Sequence, residues 1–275
     1  MKKLLCFLLF IGLANISVAQ KVKKIKGDKE VISVTNSIDK EFSVLEVNNN
    51  LKVTLVQSNK NSYVLNTDKN LAEVVNFDVN NGVLKIHSTA KITGSKKLEI
   101  FLRVKSLSEI ILNDDAELKT QGTLTSDIFS LTGNQSSKFD LDLNTENASI
   151  ILTKNSGGKI DLKSKEVSLN ISDRTDLKGK IDSDNLLAQL SKSAQLDLDG
   201  KVNTAVFNLK NSAELKAKKM KANTASLNAS NNTDIYVHAT KDLIIDVEGK
   251  SKVFVYGNPK IEVKGLSDSS RIIKK

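Results

Sequence analysis

The 275-residue chain has one cysteine, one proline, no tryptophan, two histidines and three arginines. A lone Cys6 excludes an internal disulfide framework. With only His87 and His238, in separate segments, the spacing of a zinc site is missing. Aromatic residues make up 4% of the chain, too few for a row of stacking platforms. Arg103, Arg174 and Arg271 are the only arginines, which speaks against nucleic-acid recognition and against the Arg–carboxylate cleft of a polysaccharide-degrading enzyme. There is no G-x-S-x-G, phosphate-binding or dinucleotide motif. No cofactor and no metal are expected. After residue 19 no apolar run approaches the length of a membrane-spanning helix.

What is present begins with an export signal. Lys2 and Lys3 precede an apolar run over residues 4–13, too short to cross a bilayer. Ser17-Val18-Ala19 puts small residues at −3 and −1, so cleavage is expected before Gln20. Cys6 lies inside the apolar run and cannot be the acylated cysteine of a lipoprotein. The mature chain carries 39 basic and 32 acidic side chains, a net +7 without a thiol. Residues 20–40 are a basic lead-in with a strand near residues 31–34. Residues 41–105 alternate apolar and polar in β fashion, with one short helix expected over residues 68–75 and Asp68 as its N-cap.

From residue 106 the sequence repeats. Leu112, Leu131, Leu152, Ile171, Leu190, Leu209, Ala229, Val247 and Leu266 recur at spacings of 18 to 21 residues. Each anchor precedes a polar turn such as NDDAE, SDRTD or SKSAQ, and an apolar residue returns six positions later, as in Leu118, Leu177, Leu196 and Leu215. Two turns look longer by two residues, so that Phe139 and Ile160 take the returning place. Period-2 alternation on both sides of the turn gives strand, turn, strand, turn. One such pair is unstable alone, but a stack can bury its inward side chains against its neighbours. The pattern therefore predicts an all-β chain, a parallel β-helix (β-solenoid) with coils of about 19 residues. Residues 41–105 form its cap, continuous with residues 106–275. A sandwich or meander of hairpins would not demand so constant a period.

The stretches FSVLEVNNNLKVTLVQ, LNTDKNLAEVVNFDVNNGVLKI and VFVYGNPKIEVKGLSDSSRI, with the repeats between them, resemble the putative auto-transporter adhesin head domain, the GIN domain family of exported bacterial proteins. The family's serine–glycine turns are reduced here to variants such as TGNQSSK and TKNSGGK. The resemblance implies a right-handed parallel β-helix of two sheets, an adhesion-like role and no catalytic residues.

Stacked coils place equivalent residues about 4.8 Å apart. The column seven residues after each anchor then reads Lys119, Asp140, Asp161, Lys178, Asp197, Lys216, Tyr236, Phe254, Ile273. The column at nine reads Gln121, Asp142, Lys163, Lys180, Asp199, Lys218, His238, Tyr256, Lys275. Two features interrupt this charged surface. Asp140, Asp142 and Asp161 group carboxylates that could receive a divalent cation or be a solvated acidic patch. Tyr236, His238, Phe254 and Tyr256 form the candidate ligand-binding patch, unless a cap or tail covers it. Asp173 and Asp176 share one turn, where aspartate is ordinary. The basic clusters KVKKIK and KAKKMK could touch acidic glycans or anionic lipid heads, or stay solvated.

The expected function is an exported, non-catalytic adhesion or binding scaffold of the bacterial cell envelope, located in the periplasm, at the cell surface or outside the cell. Surface glycans, envelope polymers, another protein or a second copy are its expected partners. The alternatives are a periplasmic structural or envelope-maintenance protein and, second, a carbohydrate-active enzyme on a β-helix.

Overall fold

The computed structural model describes residues 23–275. The expected export signal, with Cys6 and the expected cleavage site, lies outside the described residues. Among these residues no helix is long and apolar enough to cross a membrane. The chain winds into a β-solenoid of about nine turns with a spacing of about 19 residues.

Each full coil is one long strand with a bend. Lys138–Leu152, Gly157–Ile171, Asp176–Leu190, Gln195–Lys210 and Glu214–Ser230 pair in parallel, each with the next. The half before the bend lies on a first face and the half after it on a second. Burial alternates strictly along both halves, so one contiguous cluster of buried side chains runs from Phe42 to Val255. Leu177, Leu196 and Leu215 are direct register partners, each 1% exposed or less. A fully buried leucine stabilises by about 1.5–3 kcal/mol, and the next coil supplies its cover.

The sharp turns between the faces share one backbone solution. In eight of them, from Asn49-Asn50 to Asn231-Asn232, both central residues have φ between +49° and +67°. This left-handed region suits Asn, Asp and Gly and costs other residues about 1–2 kcal/mol. Here Lys154, Arg174, Lys192 and Ser193 adopt it as well. Hydrogen bonds between coils offset the cost. Asn155 N–H donates to the Asp173 carbonyl at 3.1 Å, Arg174 N–H to Lys192 at 3.0 Å and Ser193 N–H to Asn211 at 3.0 Å. The position inside the bend holds small side chains in most coils: Ala116, Ser137, Ser156, Ala194 and Ala213 are each 1% exposed or less, and only the first turn, next to the cap, places a leucine, Leu51, there. Outside, an amide ladder links Asn48, Asn113 and Asn134 at 3.0 and 3.1 Å, and Thr153 donates to Asn134 at 2.7 Å.

The two apparently longer turns are not longer. Leu112 pairs with Gly133, and Gly133 with Leu152, so Gly133 takes the anchor position and Leu131 lies two residues earlier, opposite Ile110. In the next coil the returning residue is Gly158, between Phe139 and Leu177, while Ile160 pairs with Leu141. The large Phe139 ring fills the space that Gly158 leaves, and a Cβ on Gly158 would come within 2.8 Å of that ring. Leu266, the last anchor, is 49% exposed, and among the described residues no strand pairs with the outer edge of Lys260–Leu266.

The N-terminal end is closed. Val83–Ser88 lies parallel to Val44–Val47, and Leu98–Val104 parallel to Lys52–Gln57, so a chain excursion adds one coil beneath the first. Antiparallel strands then cover it: Ser62–Asp68 on Leu98–Val104, Val75–Asn80 on Val83–Ser88, and Val31–Ser37 on Ser62–Asp68. Residues 23–37 of the basic lead-in are built into this cap, with Lys24–Ile25 pairing Lys91–Ile92.

The helix expected over residues 68–75 is only a single 3-10 turn, Lys69–Leu71, and Asp68 makes no cap hydrogen bond to it. The fully buried Asp68 carboxylate instead accepts the backbone N–H groups of Lys96, Lys97 and Lys29 at 2.9, 3.0 and 3.2 Å. Donation by Lys96 is the largest influence on its pKa. Together the three bonds hold the carboxyl below its usual range against the opposing effect of burial. Gly27 passes so close that a Cβ there would collide with this carboxylate.

Two outcomes follow from this architecture. The bond set of Asp68 stabilises the cap fully above pH about 4 and is lost as the pH falls through the depressed folded value. Asp68→Asn should therefore speed amide exchange in residues 31–37 at pH 7, with the difference from wild type shrinking in acid. Ser193→Gly should raise stability by about 0.5–1 kcal/mol in urea unfolding, because it relieves a left-handed residue without touching the core. Destabilisation by that substitution would contradict the strain.

Candidate functional site

The first face is charged. From Lys138 to Lys216 every outward position except Asn144, Gly157 and Gln195 carries a charge. Near the C-terminal end the same column becomes apolar: Lys216 is followed by Tyr236, Phe254 and Ile273 as successive register partners. This stretch of the column is as expected. Tyr236 and Phe254 stack at 4.6 Å between centroids with planes 8° apart. The ammonium of Lys275 stands 5.6 Å from the Phe254 centroid. Beside them His238 pairs in register with Tyr256.

All four candidate residues are half-buried. The parallel rings of Tyr236 and Phe254 turn their faces to each other, so that edges, rather than flat ring surfaces, reach solvent. The patch is a ridge, with the Tyr236 and Tyr256 hydroxyls as its polar groups. His238 does not face Lys218 in register but Lys221, because the pairing slips between Ala217 and Lys221. Its Nδ1–H donates to the Lys218 backbone carbonyl at 3.2 Å. The slip also removes Lys218 from the alternating column, which keeps Lys180 opposite Asp199.

The acidic group is arranged differently from the expectation. Asp142 and Asp161 are register partners, but Asp140 pairs with Lys159, and Lys163 belongs to the neighbouring column with Asn144. The Lys180 ammonium lies 3.0 Å from the Asp161 carboxylate. Cations thus stand beside these carboxylates. Among the described residues no group of three or more His, Cys, Asp or Glu side chains is placed to hold a metal ion. Asp173 occupies a left-handed turn position, and its carboxylate accepts from Lys192 Nζ at 3.0 Å and Ser172 Oγ at 3.2 Å. The Lys192 bond is the main cause of its lowered pKa, the reverse of what a general acid needs. Asp176 opens the next strand between Gly157 and Gln195.

The outward columns after each turn draw attention because they are charged. Those before the turn were equally legible, one and three residues ahead of each anchor, and they hold almost no charge. Their blandness hid them.

A double-mutant cycle on Tyr236→Ser and Phe254→Ser should return a coupling of about 0.5–1.5 kcal/mol in chemical denaturation, the value of a stacked pair, with the fold retained. A coupling near zero would mean that the rings do not support each other.

The family model described as putative auto-transporter adhesin, head GIN domain, matches residues 41–162 and 151–259. A search of curated proteins finds no match. Among solved structures, one described as a putative adhesin from Parabacteroides merdae is 16% identical, with a TM-score of 0.68 over 92% of this chain and 99% of that one. A putative adhesin from Parabacteroides distasonis is 20% identical, with a TM-score of 0.66 over 92% and 98%. A third structure, described as a putative lipid binding protein from the same species, is 20% identical with a TM-score of 0.65 over 92% and 100%. At these identities the likeness speaks for the solenoid fold, and the two family matches, which together run from residue 41 to residue 259, show that the chain belongs to the family described as putative auto-transporter adhesin, head GIN domain.

Proposed function

We propose that this protein is an exported, non-catalytic adhesion or binding scaffold of the bacterial cell envelope, and that the ridge of Tyr236, His238, Phe254 and Tyr256 is a contact surface on it. The observation that carries this reading is the aromatic break that follows the charged run of the column from Lys119 to Lys216, at the end of a rigid, hydrogen-bonded stack. Such a stack presents long flat faces, a geometry suited to extended partners. Membership of an adhesin family supports the same conclusion. Surface glycans, envelope polymers or another protein fit a ridge with two phenolic hydroxyls, an imidazole and a nearby ammonium. Export rests on the N-terminal segment with its short apolar run.

Protease treatment of intact producing cells, with binding of the purified chain to arrays of glycans and envelope polymers, tests the reading. The protein should be clipped from outside, and Tyr236→Ser with Phe254→Ser should weaken binding by about tenfold or more, as expected for buried aromatic contacts. Protection from protease together with unchanged array binding would overturn it.

A further inference from the structure

We propose that the second face of the solenoid is a binding surface for a neutral polysaccharide strand lying along the solenoid axis, an inference that rests on the scaffold reading and names a partner class for it. The evidence starts with charge. Three outward positions per coil over six coils, from Ile128 to Asn228, contain one charged residue, Glu166. No lysine or arginine stands among them, although 41 of the 275 residues are basic and the opposite face is charged almost throughout. Depletion of charge marks surfaces that lose water on contact, because an unpaired buried charge is costly.

What replaces the charges is hydrogen-bonding capacity. The hydroxyls of Ser130, Ser149 and Ser168 are consecutive register partners. Asn170, Gln189, Asn208 and Asn228 form the column beside them. Asn228 Nδ2 donates to Asn208 Oδ1 at 2.9 Å, whereas Asn170 and Gln189 make no side-chain hydrogen bond among the described residues. Amides and hydroxyls each donate and accept, as sugar hydroxyls do, and they repeat here at the coil spacing of about 4.8 Å. Aliphatic surface lies between the polar columns: Ile128 is 65% and Ile151 40% exposed, with Leu187 and Val206 half-buried. These groups suit the C–H surfaces of a pyranose chain.

Two shallow depressions follow this face. One is lined by Ser149, Ser168, Leu187 and Val206, the other by Asn170, Gln189, Asn208 and Asn228. Charge enters the first through Glu166 and the second at its rim, through Lys210, Asp246 and Glu248. An acidic polymer would find no cation among these outward positions, only Lys210 at the rim, and would meet Glu166. A second copy of the chain would need a more apolar centre than these amides and hydroxyls provide.

The test is affinity electrophoresis of the purified protein through gels holding neutral polysaccharides (glucan, mannan, galactan) or acidic ones. Wild type should be retarded by a neutral polymer, with little change on adding salt. Asn170→Lys with Gln189→Lys, both at exposed positions, should weaken retardation by about tenfold or more, while Lys178→Asn on the charged face changes nothing; circular dichroism and melting curves establish that all variants fold. Retardation only by acidic polymers, insensitivity to the second-face variants, or a dimer in light scattering that those variants dissolve would each overturn the proposal. If neutral polymers fail while binding through the Tyr236–Phe254 ridge persists, the scaffold reading stands and this inference falls. If both fail, both fall.

Discussion

Parallel hydrogen bonding between coils is the constraint on which everything else depends. It fixes which residue stands above which, and it extends into the turns, where a chain would ordinarily satisfy itself or use water. The second left-handed residue of a turn donates its N–H to the first left-handed residue of the next coil. The strained conformation is thus a collective state. A single such turn carrying Lys or Arg would be unfavourable, but within a stack each is held from both sides. This explains how turns as chemically varied as NDD, SDR and SKS adopt nearly the same φ values. It also explains why these turns need no glycine: the neighbouring coils supply the constraint that glycine would otherwise relax.

The same register decides what could be read before any coordinates. Period and core were legible because a strand with one buried face must alternate, and a stack must repeat. The columns of Leu177, Leu196 and Leu215, and of Tyr236 and Phe254, follow directly from counting. Counting failed where size complementarity replaced identity. Gly133 and Gly158 stand in positions held elsewhere by larger apolar residues, and an apolar search passes over them to Leu131 and Ile160. Phe139 beside Gly158 shows the reason: volume is conserved across neighbouring coils rather than within each coil. The N-terminal excursion was illegible for another reason. It inserts a coil out of chain order and closes it with antiparallel strands, so its partners share no period with it. Asp68, which reads locally as a helix cap, is instead tied to Lys29, Lys96 and Lys97, far away in sequence.

Because the interior is uniform, function has to be sought in the outward columns, and these divide the molecule. The first face balances lysine against carboxylates in exposed pairs such as Lys180–Asp161 and Lys52–Glu117, each worth about 0–1 kcal/mol. Such pairs stay hydrated and keep the face soluble. The second face gives up that protection over six coils. Sheet stability does not require this, since charged outward residues serve equally well on the first face. The difference therefore lies in what each face meets. A charged face breaking into an aromatic ridge and a neutral face with amide columns offer two chemically distinct surfaces on one rigid body.

The two ends of the stack show how far self-sufficiency extends. A parallel stack cannot satisfy its own terminal coils, because each ladder needs a further strand. At the N-terminal end the antiparallel strands Val31–Ser37 and Ser62–Asp68 supply it, and the Asp68 carboxylate binds the loops that hold them. At the other end Ile261, Val263 and Leu266 remain 37, 48 and 49% exposed. There the edge strand Lys260–Leu266 carries Lys260 and Lys264, and its pairing is interrupted between Ile245 and Asp246. Lysines and an interrupted register discourage another strand from adding, whereas an antiparallel cap removes the edge altogether. The cap thus closes its end by structure, the strand Lys260–Leu266 is marked by charge and irregularity, and between them the long faces present the outward columns for recognition.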